Sequence, residues 1–214
     1  MIFTRNIGKY NLQAECDRSL QAPAERLLAD LCEMHEKGPP LHDGSTILFG
    51  WVLLKLQQAG ETLRVCEPDF LGNSIDEYIP QVDRTLSVLD DQARLYHQLG
   101  CAPKPTFYKD SIVVAKGCLE QPDLYLERQA AVETDDSGWY IGCKMMTSVN
   151  EKDLEVRKAY ELVRLCPDLL QVLALPENYL ATFSGKQIEA ILNEVNERVW
   201  PVVGLPGTTV LHAD

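Results

Sequence analysis

The sequence lacks the short motifs on which most enzymes depend. It contains no G-x-S-x-G, no H-E-x-x-H and no glycine-rich loop able to cradle a phosphate. Its seven cysteines form no C-x-x-C pair, and an odd number of cysteines cannot close into a complete set of internal disulfides. The sequence therefore predicts reduced, mostly buried thiols, no cofactor and no catalytic activity.

Long apolar runs are also missing. The first eight residues lack the apolar core of a secretory signal, and no apolar stretch approaches the length of about 18 residues that a membrane-spanning helix requires. We therefore expect the protein in the cytoplasm.

Basic residues are scarce relative to acidic ones. The chain has 20 Lys and Arg against 32 Asp and Glu, a formal net charge of −12. The excess of acidic residues is the same in both halves of the sequence. Residues 1–100 contain 9 basic and 15 acidic residues, and residues 101–214 contain 11 basic and 17 acidic residues. Such a field repels phosphate backbones and anionic lipid, so nucleic-acid and membrane partners are disfavoured and a basic protein partner is favoured.

The apolar content is sufficient for a sizeable core, since hydrophobic residues make up 45% of the 214 positions. A chain of this length holds one large or two small domains. The segment Cys101-Ala102-Pro103-Lys104-Pro105 is the most linker-like in the chain and predicts two closely apposed halves, 1–103 and 104–214.

The pattern of apolar residues predicts an α+β fold of antiparallel sheets with flanking helices. Strands are expected at 46–56, 62–66, 111–115, 124–131, 138–143 and 179–183. Helices are expected at 22–37, 82–99, 151–165 and 186–198, with Gly100 as a left-handed cap of the second.

Four polar residues flank the expected hairpin of the first half. His42 and Asp43 precede it, and Glu67 and Asp69 follow it. If the strand ends meet, these side chains form a metal site or an acid/base group. However, a proline separates the last two, and no second histidine stands at ligand spacing from His42. A hydrogen-bonded turn is the favoured interpretation, and a metal-dependent enzyme is the alternative.

An acidic turn before an aromatic strand is the most distinctive local feature. Asp135, Asp136 and Ser137 precede Trp139. These residues could form an acidic knob with an aromatic anchor for a protein partner. Alternatively, Asp136 or Ser137 caps the turn through its side chain while Trp139 lies in the core. We expect Trp139 to be a core residue.

The run Asp136-Ser137-Gly138-Trp139 and several later segments resemble a family of bacterial immunity proteins defined by a D-S-G-W motif. The resemblance covers about residues 120–185. The later segments are Ile141-Gly142, Ala159-Tyr160-Glu161-Leu162, Cys166-Pro167-Asp168-Leu169-Leu170, Leu175-Pro176 and Tyr179-Leu180-Ala181-Thr182-Phe183. Upstream, His42-Asp43-Gly44, Phe49-Gly50-Trp51 and Cys66-Glu67-Pro68-Asp69-Phe70 are similar to an N-terminal portion that accompanies this domain in some members.

The resemblance implies a protein that protects its producer by binding a secreted toxin, often a type VI secretion effector. It also implies that the motif residues define the fold and form no active site. An acidic antidote suits a toxin with a cationic groove, which favours a nuclease. An adaptor that binds some other partner remains an alternative. The expected toxin-binding surface comprises Asp43, Glu67, Asp69, Asp90, Asp91, Asp135 and Asp136.

Overall fold

The structure is a computed structural model that describes residues 1–144 and 150–201. The chain divides into two compact units, Met1–Asp91 and Gln92–Asp214. Each unit contains its own sheet together with helices, so the predicted α+β class is confirmed. Among the described residues, no helix is both long enough and apolar enough to cross a membrane.

The first unit is a six-stranded sheet with helices. Its sheet has the order β1-β2-β5-β4-β3, with β6 paired to β5. The β2–β5 pair is parallel and the other pairs are antiparallel. The elements are β1 (Ile2–Ile7), β2 (Tyr10–Glu15), α1 (Gln21–Lys37), β3 (Thr46–Phe49), β4 (Val52–Ala59), β5 (Thr62–Pro68), β6 (Tyr78–Ile79) and the start of α2 (Asp83–Leu99).

The hairpin between β4 and β5 confirms the antiparallel pair expected from the sequence. Leu54 and Leu56 of β4 and Leu63 and Val65 of β5 are buried, so one face of this pair lies in the core. The single strand expected at 46–56 is wrong. A turn at Gly50, whose φ is 59°, divides that segment into the β3–β4 hairpin.

Both helices expected in the first half are present. Leu27, Leu28 and Leu31 of α1 are buried, as their helical spacing predicts. Helix α2 ends one residue before Gly100, which has a φ of 65° and confirms the expected left-handed cap.

The second unit is a seven-stranded sheet of order β10-β7-β9-β8-β11-β12-β13. The β7–β9 pair is parallel and the others are antiparallel. The strands are β7 (Ser111–Ala115), β8 (Asp123–Arg128), β9 (Asp136–Cys143), β10 (Leu154–Lys158), β11 (Leu180–Ser184), β12 (Gln187–Leu192) and β13 (Arg198–Trp200). A four-residue helix, α3 (Leu162–Leu165), and a 3₁₀ segment, Pro167–Val172, lie between β10 and β11.

The helix expected at 151–165 is wrong for most of its length. Its first three residues form a 3₁₀ turn, Leu154–Lys158 form the edge strand β10, which pairs with β7, and only its last four residues form α3. Leu154, Val156 and Lys158 alternate with Glu155 and Arg157, a period of two that fits a strand. The segment is thus compatible with a helix and with a strand, and pairing with β7 selects the strand.

The helix expected at 186–198 is also wrong, because this segment folds back as β12 and β13. Gly185, with a φ of 59°, allows the tight turn from β11 into β12. The side chain of Asn193 accepts hydrogen bonds from the amides of Val195 and Glu197, and these bonds close the next turn.

The D-S-G-W run forms the start of β9, and its residues make contacts that stabilise the fold. Trp139 is 1% exposed, which confirms its expected place in the core, and its indole nitrogen donates to the Thr106 hydroxyl at 3.1 Å. The Ser137 hydroxyl donates to the Ser111 carbonyl at 2.6 Å and accepts from the Trp139 amide at 3.1 Å. Gly138 has a φ of 74°, and a Cβ atom there would lie 2.1 Å from the Gln129 carbonyl oxygen.

We predict that Gly138→Ala destabilises the protein far more than Gly117→Ala. Both glycines have a left-handed backbone, with φ of 74° and 75°, but a Cβ at Gly117 meets nothing within 4 Å. Gly117→Ala should cost about 1–2 kcal/mol from backbone strain alone. Gly138→Ala should cost about 1–3 kcal/mol more, because the backbone near Gln129 must move. Urea unfolding of both variants measures the difference, and equal costs would contradict the close approach.

Candidate functional site

The seven acidic residues expected to bind a partner are divided between the two units. Five lie in Met1–Asp91, and Asp135 and Asp136 lie in Gln92–Asp214. The first unit carries 15 acidic and 8 basic residues, so it holds more than half of the net negative charge.

Asp43 lies in an exposed loop beside strand β4. Its Oδ1 atom accepts a hydrogen bond of 2.8 Å from the Gln58 amide. The His42 ring lies 2.7 Å, through Nδ1, from the Asp43 carbonyl oxygen. Because a carbonyl oxygen only accepts, the His42 ring donates from Nδ1. Both side chains therefore contact backbone of the loop and of the adjacent strand, as a hydrogen-bonded turn requires.

The metal-site alternative requires His42 and Asp43 to lie close to Glu67 and Asp69. They do not. Gln58, which binds Asp43, pairs with the start of β5, whereas Glu67 lies near its end. Gln58 pairs with Leu63, which is four residues before Glu67. Four residues of a strand span about 13 Å. Within the described residues, no group of three or more His, Cys, Asp and Glu side chains could hold a metal ion.

Glu67 is buried, with 2% of its surface exposed, and it binds the first turn of helix α2. Its two carboxylate oxygens accept from the amides of Arg84 at 3.2 Å and Thr85 at 2.7 Å. Burial raises the pKa of Glu67 to about 7, although these two hydrogen bonds favour the charged form. A side chain that is almost fully buried cannot form part of an exposed binding surface, so Glu67 does not belong to the expected toxin-binding surface.

Asp69 lies close to Glu67 in a cleft that the sequence did not predict. The cleft has a volume of about 400 Å³ and is also lined by Asp83 and Arg84. Asp69 accepts a bond of 3.2 Å from the Leu71 amide, and Asp83 accepts one of 2.7 Å from the Asp17 amide. The sequence analysis did not single out Asp83, because an acidic residue at a helix start suits the helix dipole and does not by itself indicate a cleft.

Asp90 and Asp91 lie on helix α2 beyond the cleft. Asp90 is half-buried, and its Oδ1 atom lies 3.7 Å from a guanidinium nitrogen of Arg26. Asp91 is exposed. An ion pair of this length near the surface contributes little to stability.

Asp135 and Asp136 lie in the turn that leads into β9. Asp135 is exposed, whereas the Asp136 carboxylate accepts from the amides of Gly138 at 2.8 Å and Val132 at 2.9 Å. Asp136 therefore shapes the turn, as expected for a capping side chain. The core position of Trp139 excludes it as a surface anchor. At the same turn, Val132 is 87% exposed and was not predicted.

Glu67 generates a prediction about stability and pH. The unfolded chain loses the Glu67 proton near pH 4.5 and the folded chain near pH 7, so between these values the folded state holds more protons. The Glu67 contribution to stability is therefore present at low pH and is lost as pH rises. Relative to Glu67→Gln, the parent should lose on the order of 2–3 kcal/mol between about pH 5 and pH 8.

Urea unfolding across this pH range measures that difference. Glu61→Gln is the control, because Glu61 is exposed in the turn between β4 and β5 and the charge change is the same. A parent-minus-Glu67→Gln difference that stays constant with pH, or that increases, contradicts the assignment.

Comparisons with known proteins give a family match for the second unit. No curated protein and no solved structure gives a significant match to the chain. A family model described as the Imm33-like domain matches residues 91–206. The matched range covers more than half of the 214 residues and includes the whole described sheet of the second unit. The chain belongs to the Imm33-like family of immunity proteins.

Proposed function

We propose that this protein is the antidote of a toxin that acts in the cytoplasm, and that it works by binding the toxin and covering its active surface. Membership of the Imm33-like family supports the immunity role. The uneven balance of 20 basic and 32 acidic residues supports a basic partner. Among toxins, nucleases have the cationic grooves that such a partner requires, so a nuclease effector, such as one delivered by type VI secretion, is the proposed target.

The proposed contact residues are the expected acidic residues other than Glu67, four in the first unit and two in the second. Asp43, Asp91 and Asp135 are exposed. Asp69, Asp90 and Asp136 are half-buried. The carboxylates of Asp69 and Asp136 accept hydrogen bonds from backbone amides, which holds them in defined positions. Carboxylates that are already held in place lose little side-chain entropy when a cation binds them.

Inhibition by occlusion requires no chemistry from the antidote. A toxin that cleaves nucleic acid must expose its cationic groove to the substrate, and an acidic protein competes for that groove directly. Complementary charge increases the rate of encounter, while apolar and hydrogen-bonded contacts determine how long the complex lasts. This division predicts which rate constant salt should change.

Association with the toxin should slow markedly as salt rises, while dissociation changes much less. Between about 50 and 500 mM salt the Debye length shrinks from above 10 Å to a few ångströms, which screens the long-range attraction. Surface plasmon resonance or stopped-flow fluorescence with the product of the adjacent toxin gene measures both rate constants.

A matched pair of double variants tests whether the proposed contact residues increase the association rate. Asp43→Lys combined with Asp135→Lys changes two proposed contact residues, and Asp30→Lys combined with Glu36→Lys changes two exposed acids of α1 by the same charge. The first variant should slow association more than the second. If salt and both variants leave the association rate unchanged, the acidic surface does not guide the encounter and the proposed contact is wrong.

A further inference from the structure

The cleft at the start of helix α2 combines apolar walls with carboxylates. Leu20, Phe70, Leu71 and Ile79 line it. Phe70 is 4% exposed, and its ring stacks on Trp51 at 5.2 Å between centroids. Leu71, by contrast, is 58% exposed. The apolar wall therefore combines a side chain fixed by packing, Phe70, with one that solvent reaches, Leu71.

Two half-buried carboxylates, those of Asp69 and Asp83, line the same cleft together with the carboxyl group of Glu67, which is buried in its wall. Each is held by backbone amides, and within residues 1–144 and 150–201 none has a lysine or arginine within ion-pair distance. Arg84 also lines the cleft, but its single charge does not balance Asp69 and Asp83, to which Glu67, with a pKa of about 7, adds a partial negative charge at neutral pH. A cation brought in by a partner would relieve the mutual repulsion of these groups.

We propose that this cleft receives an arginine side chain of the toxin. An arginine has an aliphatic stem that fits the apolar walls and a planar guanidinium that binds carboxylates through two parallel hydrogen bonds. The cleft volume of about 400 Å³ accommodates such a side chain and lies within the usual range for binding pockets. This inference rests on the proposed function, since it assigns one contact of the toxin-binding surface.

The position of the cleft gives it a distinct role. Every lining residue precedes position 91, where the match to the Imm33-like domain begins. The cleft is therefore a feature of the additional N-terminal unit of this chain. A buried arginine in a partly apolar pocket is a typical centre of binding energy in protein interfaces, so the N-terminal unit would determine which toxin is recognised.

The first experiment titrates the full chain with N-acetyl-arginine methylamide and follows backbone amides by NMR. The corresponding citrulline compound, which is neutral and nearly the same shape, is the matched probe, and the lysine compound tests the planar geometry. Arginine should shift the amides of Asp69, Leu71 and Arg84 with saturation in the millimolar range, and citrulline should not. Equal shifts with arginine and citrulline, or none with arginine, overturn the proposal.

The second experiment uses variants that preserve the hydrogen bonds of the cleft. Asp69→Asn combined with Asp83→Asn removes two charges but keeps an oxygen acceptor for each bound amide. Asp30→Asn combined with Glu36→Gln makes the same charge change on α1 and is the control. The cleft variant should bind the toxin at least about tenfold more weakly than the control, equivalent to about 1.4 kcal/mol.

The outcomes separate this inference from the proposed function. If the parent binds the toxin and the cleft variant binds as tightly as the control, the cleft is not the contact, while the antidote role stands. If the parent does not bind the toxin at all, the proposed function fails, and the arginine titration still decides whether the cleft binds a guanidinium.

Discussion

The second unit depends on a buried guanidinium. Arg128 is 2% exposed, and its Nε atom donates to the Ser137 carbonyl oxygen at 3.2 Å. Its Nη1 atom donates to the carbonyl oxygens of Lys104, Leu173 and Leu175. A buried charge is costly unless its donors are satisfied, and here backbone carbonyls supply the acceptors. Burial lowers the pKa of Arg128 to about 10, so the group stays protonated at neutral pH.

Two residues of the D-S-G-W run, Ser137 and Trp139, contact this guanidinium group. The Trp139 ring lies 5.5 Å from the Arg128 guanidinium carbon, and the Trp139 indole binds Thr106, whose hydroxyl in turn donates to the Leu173 carbonyl. The start of β9, the end of β8 and the turn before β11 are thereby joined through polar bonds inside an apolar core. Asp136, Ser137, Gly138 and Trp139 therefore shape the turn and the core of the second unit.

The sequence predicted the elements that local chemistry decides and failed where strand pairing decides. Helix α2 and the cap at Gly100 follow from spacing and backbone freedom. The segments that became β10 and β12 have apolar residues compatible with a helix, and only pairing with β7 and β11 makes them strands. At the candidate site, the sequence located Glu67 and Asp69 but neither the burial of Glu67 nor the cleft that both line, because Leu20, Ile79 and Asp83 reach the cleft from separate segments.

A stoichiometric titration of the toxin with this protein tests the central claim most directly. The product of the adjacent toxin gene is held at a fixed concentration far above the dissociation constant, and its activity is measured as purified antidote is added. Occlusion predicts that activity falls in proportion to the added protein and ends at a fixed molar ratio, with a complex that co-elutes on size exclusion. Full activity with the antidote in excess, or inactivation by much less than one equivalent, would contradict an antidote that acts by binding.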